Sequence, residues 1–113
     1  MDKDALAAWA LANGWQMIGG HPSLTKPSAP KEAVVRLVLK ATVATLEAKK
    51  PAGKWEKVAG AEYGQIAADE DTGAPLGLGL DTMPTLGALM RQNRDRQMIA
   101  RMTAGPKVDG DGA

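Results

Sequence analysis

The sequence predicts a two-layer α+β domain. The expected antiparallel sheet is built on a long β-hairpin, about 33–50 and 54–67, with an N-terminal helix and one or two C-terminal helices beside it. Three observations carry this expectation. Residues 4–13 are rich in Ala and Leu. Residues 34–58 combine alternating apolar positions with a turn signal at 50–54. A methionine-rich amphipathic run follows Pro84.

"DALAAWALAN", residues 4–13, is the first element, because Ala and Leu favour helix and Leu6, Trp9, Ala10 and Asn13 fall on one face. Asp2 or Asp4 suits its start, and Gly14 suits a left-handed helix end. Trp15–Ile18 reads as a short strand ended by Gly19 and Gly20. The stretch "HPSLTKPSAPKE" reads mostly as loop because of its three prolines, with Ser23–Thr25 as a short edge strand at most.

The run 34–58 fits two descriptions. As a helix it could begin at Pro30 after a capping Ser28. As strands it has Val35, Leu37, Leu39, Ala41 and Val43 on one face, and Arg36, Lys40 and Thr42 on the other. Val and Thr favour the strand, and Lys50-Pro51-Ala52-Gly53-Lys54 fits a three-residue hairpin loop. That register places Lys49 opposite Trp55, Ala48 opposite Glu56, Glu47 opposite Lys57 and Leu46 opposite Val58. Trp55 is assigned to the core. Residues 70–80 read as loop with a short extended piece near Leu76–Leu80. The stripe Met83, Leu86, Met90 is rotated away from Met98, Ile99, Met102. Asn93 is a good N-cap, so two helices, about 83–91 and 94–103, or one kinked helix are expected. The expected organisation is one domain, 1–104, with a tail at 105–113.

At 113 residues the chain has room for one modest core, and it has no Cys. That excludes disulfides, thiolate metal sites and a cysteine nucleophile. No apolar run reaches the roughly 18 residues of a membrane span, and Met1–Asp4 does not read as the start of a signal peptide. Cytoplasm is the expected location, with no membrane partner. The net charge is only +1, but it is segregated. Residues 26–57 carry eight bases against three acids, 58–81 five acids and no base, and 82–107 five bases against Asp95. Such blocks offer a surface to an oppositely charged partner or pair with one another in the fold.

Candidate sites follow from residue type. His21, the single histidine, lies in "GGHPS" and suits an exposed general base or an ordinary surface position. "DEDTG" at 69–73 lacks the ligand spacing of a calcium loop and reads as an acidic turn. "GLGL" at 77–80 fails the nucleotide-binding glycine pattern at Thr82. No metal or other cofactor is implied, nor a small-molecule ligand. Arg36, Lys40, Lys50 and Lys54, extended by Arg94, are the candidates for contacting phosphates. Met98, Ile99 and Met102 are the candidates for a partner or dimer seam.

The order helix, strand, hairpin, helix is similar to the α-β-β-β-α layout of double-stranded-RNA-binding domains and of HicA-type toxin ribonucleases. "LAAWALANGW" followed by "GGH" resembles the start of the HicA family, whose glycine-rich turn carries the catalytic histidine. The resemblance implies a ribonuclease with His21 catalytic. It covers about the first fifth of the chain, and the family's later valine-proline-arginine stretch has no counterpart here. The reading from the residues themselves is a non-enzymatic interaction module that binds itself or another protein. Nucleic-acid binding through the basic hairpin face is the alternative.

Overall fold

The computed structural model describes the backbone of residues 1–108 and the side chains of residues 1–102. Helix α1, Lys3–Ala12, is capped by the Asp2 carboxylate, which accepts from the Ala5 N–H at 2.8 Å. Leu6 and Ala10 on its inner face are fully buried. Gly14 closes the helix at φ +93° and lies hard against the last helix: a Cβ there would meet the Met90 carbonyl oxygen at 2.6 Å. Only glycine fits both the backbone conformation and the approach.

Five strands follow as a meander in sequence order: β1 (Gln16–Ile18), β2 (His21–Lys26), β3 (Ala29–Leu39), β4 (Val43–Lys49) and β5 (Trp55–Glu62), each antiparallel to the next. A 3₁₀ turn at Tyr63–Gln65 leads to a two-stranded ribbon of β6 (Ala67–Ala68) and β7 (Pro75–Leu76). A second 3₁₀ turn, Leu80–Thr82, precedes helix α2, Leu86–Val108. The domain is thus the two-layer α+β fold, with helices against one face of an antiparallel sheet. Among the described residues no helix is long and apolar enough to cross a membrane.

The hairpin boundaries need correction. The arm expected at 33–50 is two strands, β3 and β4, folded at Lys40–Thr42, where the Lys40 N–H donates to the Val43 carbonyl at 2.9 Å. Tyr63 pins this fold, its hydroxyl donating to the Lys40 carbonyl at 2.7 Å. Burial pushes the Tyr63 phenol above its ordinary pKa. The arm expected at 54–67 ends at Glu62 and then leaves the sheet. The turn at Gly53 (φ +89°) forms as expected, with the pairs Lys49–Trp55, Ala48–Glu56 and Glu47–Lys57. Leu46 faces Ala59 rather than Val58, because a bulge absorbs one residue there. The segment read as loop, His21–Lys26, is a strand paired on both sides.

The core lies between the layers. Leu24 of β2, Val35 and Leu37 of β3, and Ala44 and Leu46 of β4 meet Leu6, Ala10, Trp15, Ile66, Leu78 and Leu86. The Trp15 indole N–H points to the Met90 sulfur at 3.2 Å.

The final helix is continuous, so the helix break at Asn93 is also corrected. Asn93 is fully buried against β2. Its carboxamide accepts from the Thr25 N–H at 3.1 Å and donates to the Thr25 carbonyl at 2.9 Å. It also accepts from the Thr25 hydroxyl and donates to the Leu89 carbonyl. Arg96 braces the cluster by donating to Thr25 Oγ1, Asn93 Oδ1 and the Lys26 and Pro27 carbonyls. The expected tail at 105–113 overlaps this helix through Val108, and its remainder lies outside the described residues.

Candidate functional site

Because the core, both helices and the small ribbon gather on one face of the sheet, the side chains of the other face define what the domain presents. One row of register partners, Ser23, Arg36, Glu47 and Lys57, crosses β2 to β5. On the same face, His21 of β2 stands two residues from this row in one direction, and the pair Lys49 and Trp55 of β4 and β5 stands two residues from it in the other.

Arg36 is the centre of this face. Its Nε donates to Glu47 Oε1 at 2.7 Å. Its guanidinium lies over the Trp55 ring at 4.1 Å from the centroid. The Lys49 ammonium stands 5.9 Å from the same ring. Both members of the ion pair are partly shielded, with side chains 26% and 21% exposed. One edge of the guanidinium and one of its planes are therefore engaged, and among the described residues no acceptor meets its two terminal nitrogens.

A groove of about 750 Å³ opens above this centre. Its floor is Ser23, Arg36, Lys49 and Trp55. One wall is the β1–β2 turn, with Ile18, Gly19 and His21. The other is the start of β3, Ala29–Ala33, beyond the irregular pairing of β2 with β3. On the outer rim Lys26 and Glu32 pair at 2.9 Å. The hydrogen bond and the charge of Lys26 hold the Glu32 carboxyl below its usual pKa.

The residues singled out from sequence are distributed unevenly. Arg36 and His21 share the groove. Lys40 lies in the β3–β4 turn and Lys50 and Lys54 lie around the β4–β5 turn, so the length of β4 separates them by roughly 20 Å. Lys50 pairs with Glu56 at 2.9 Å. Arg94 sits on α2, beside Asn13 at 3.4 Å. These five bases do not form one surface. Met98, Ile99 and Met102 lie on α2 with exposures of 53%, 63% and 70%.

The acidic stretch is a turn closed on itself. The Asp69 carboxylate accepts from the N–H groups of Thr72 and Asp71 at 3.0 and 2.8 Å. Those bonds lower its pKa. No set of three or more His, Cys, Asp or Glu suited to a metal ion occurs among the described residues.

Sequence reasoning missed Trp55 and Glu47 as site residues. The signal was present in the register: if Lys49 points outward, its cross-strand partner Trp55 does too. No protein-family model matches the chain, and neither a curated protein nor a solved structure matches it.

Proposed function

We propose that this chain is a non-enzymatic protein-interaction module whose contact surface is the uncovered sheet face around Arg36 and Trp55. One observation carries the reading: the face without a helical layer holds a walled groove with an aromatic ring and an oriented guanidinium at its floor. Binding sites are concave and largely apolar, with a few placed polar groups. Trp and Arg are the side chains that most often dominate protein contacts. In this reading His21 is part of the groove wall, and no proton transfer is assigned to it. The spread of Lys40, Lys50, Lys54 and Arg94 favours a protein partner over a nucleic-acid backbone, which needs a continuous basic track.

The test is selection of a random heptapeptide library on the immobilised protein, followed by amide shift mapping with the enriched peptides. The expected shifts fall on Ile18, His21, Ala33, Arg36 and Lys49. Shifts confined to the helices, or no enrichment, would retire this reading.

Self-association through α2 is a second reading, supported by the exposed Met98 and Met102. Arg91, Arg94 and Arg101 lie along the same helix and are exposed, so any pairing of two copies there would strengthen with salt. Light scattering at low and moderate salt decides it.

A further inference from the structure

Resting on the groove reading above, we infer that the ligand is an extended peptide that presents a single side-chain or terminal carboxylate to Arg36. The Nε bond to Glu47 and the stack on Trp55 fix the plane of the guanidinium. Its two terminal nitrogens have no acceptor among the described residues, on a side chain that lines the groove. That edge is a flat fork of N–H donors, whose geometric complement is a carboxylate bound through both oxygens. The ordering of the arginine has already occurred in the free protein, so less freedom is lost when a ligand docks.

Charge around the fork sets how much negative charge the groove accepts. Lys31 and Lys49 add to Arg36, while Glu32 lines the groove and Glu47 is bonded to the Arg36 Nε. A lone carboxylate is favoured there. A run of phosphates would have to pass the two glutamates, and each like-charge approach costs affinity. The remaining lining, Ile18, Ala29, Pro30 and Ala33, is apolar. The matching ligand therefore places aliphatic side chains next to its acidic residue.

The experiment uses the full chain and the enriched heptapeptides. The expected consensus is one Asp or Glu flanked by apolar residues. Changing that acid to its amide on the peptide should weaken binding about 10- to 100-fold, the worth of a charge-assisted pair. Arg36→Lys, which keeps the charge and loses the fork, should weaken it by a similar factor. The two changes together should cost no more than either alone. Additive losses, or groove-binding peptides without an acid, would overturn the carboxylate assignment while leaving the groove as the interaction surface. Absence of groove binders would remove the surface as well. A single-stranded RNA dodecamer that displaces the acidic peptide at equal concentration would overturn the assignment in favour of nucleic acid. If Arg36→Lys does not fold, the acid-to-amide change against the native protein still decides.

Discussion

Two polar clusters sit on this small sheet and differ in what they leave unused. At the α2 junction Asn93 is fully buried, and both ends of its carboxamide are engaged. On the opposite face Arg36 is half-shielded and spends only its Nε and one plane. A buried polar group with every bond made specifies one packing arrangement. A fixed polar group with bonds still to make is suited to meet something else. Hydrogen-bond satisfaction, more than polarity, separates architecture from contact surface here.

The largest test of this contrast is Asn93→Ala. It strips partners from the Thr25 N–H and carbonyl in a site that water does not reach, and it opens a small cavity. We expect a loss of about 3–5 kcal/mol in urea unfolding. Arg36→Ala and Trp55→Ala should each cost only about 1 kcal/mol, since a partly exposed ion pair and a cation–π contact are individually weak. Equal losses at Asn93 and Arg36 would erase the distinction, because the groove cluster would then be structural too. The smallest effect is expected at Asp69, whose bonds are made outside the core, so that it separates satisfaction from full burial. Its folded pKa is depressed, so its contribution is present above the unfolded value and fades as pH falls through the folded one. Carboxyl shift titration of the native protein should show that depressed pKa. Asp69→Asn should flatten the acid side of the stability profile without moving the neutral side appreciably.

Much of the fold was legible in the sequence because the local signals agreed. The first helix has its cap and closing glycine, and Pro51 with Gly53 fixed a register that holds from Glu47 to Lys57. The β3–β4 turn was not legible by its residues, since Lys40-Ala41-Thr42 contains no glycine, proline or asparagine. Its trace was a change of phase: Val35 and Leu37 are buried at odd positions, Ala44 and Leu46 at even ones. Carrying the first phase through the turn put Trp55 in the core instead of on the open face. β2 was hidden by its prolines, although Pro22 is accommodated opposite Met17 on a strand of three residues. In α2 the buried face runs Leu86, Met90, Asn93, Gln97, a regular helical series whose lower half is polar. A search for apolar periodicity loses such a face at Asn93, and reads a break where the helix docks most tightly.

The Asn93 clamp has one more consequence, for how copies of this protein behave at high concentration. Strand β1 pairs with β2 only as far as Ser23, so beyond that point β2 would offer bare main-chain groups. Bare strand edges recruit other strands, and that is a common route to aggregates. The carboxamide of Asn93 takes both main-chain groups of Thr25, standing in for the strand that β1 is too short to supply. Helix α2 therefore does more than complete the second layer. It seals the sheet where a neighbouring molecule would otherwise add to it.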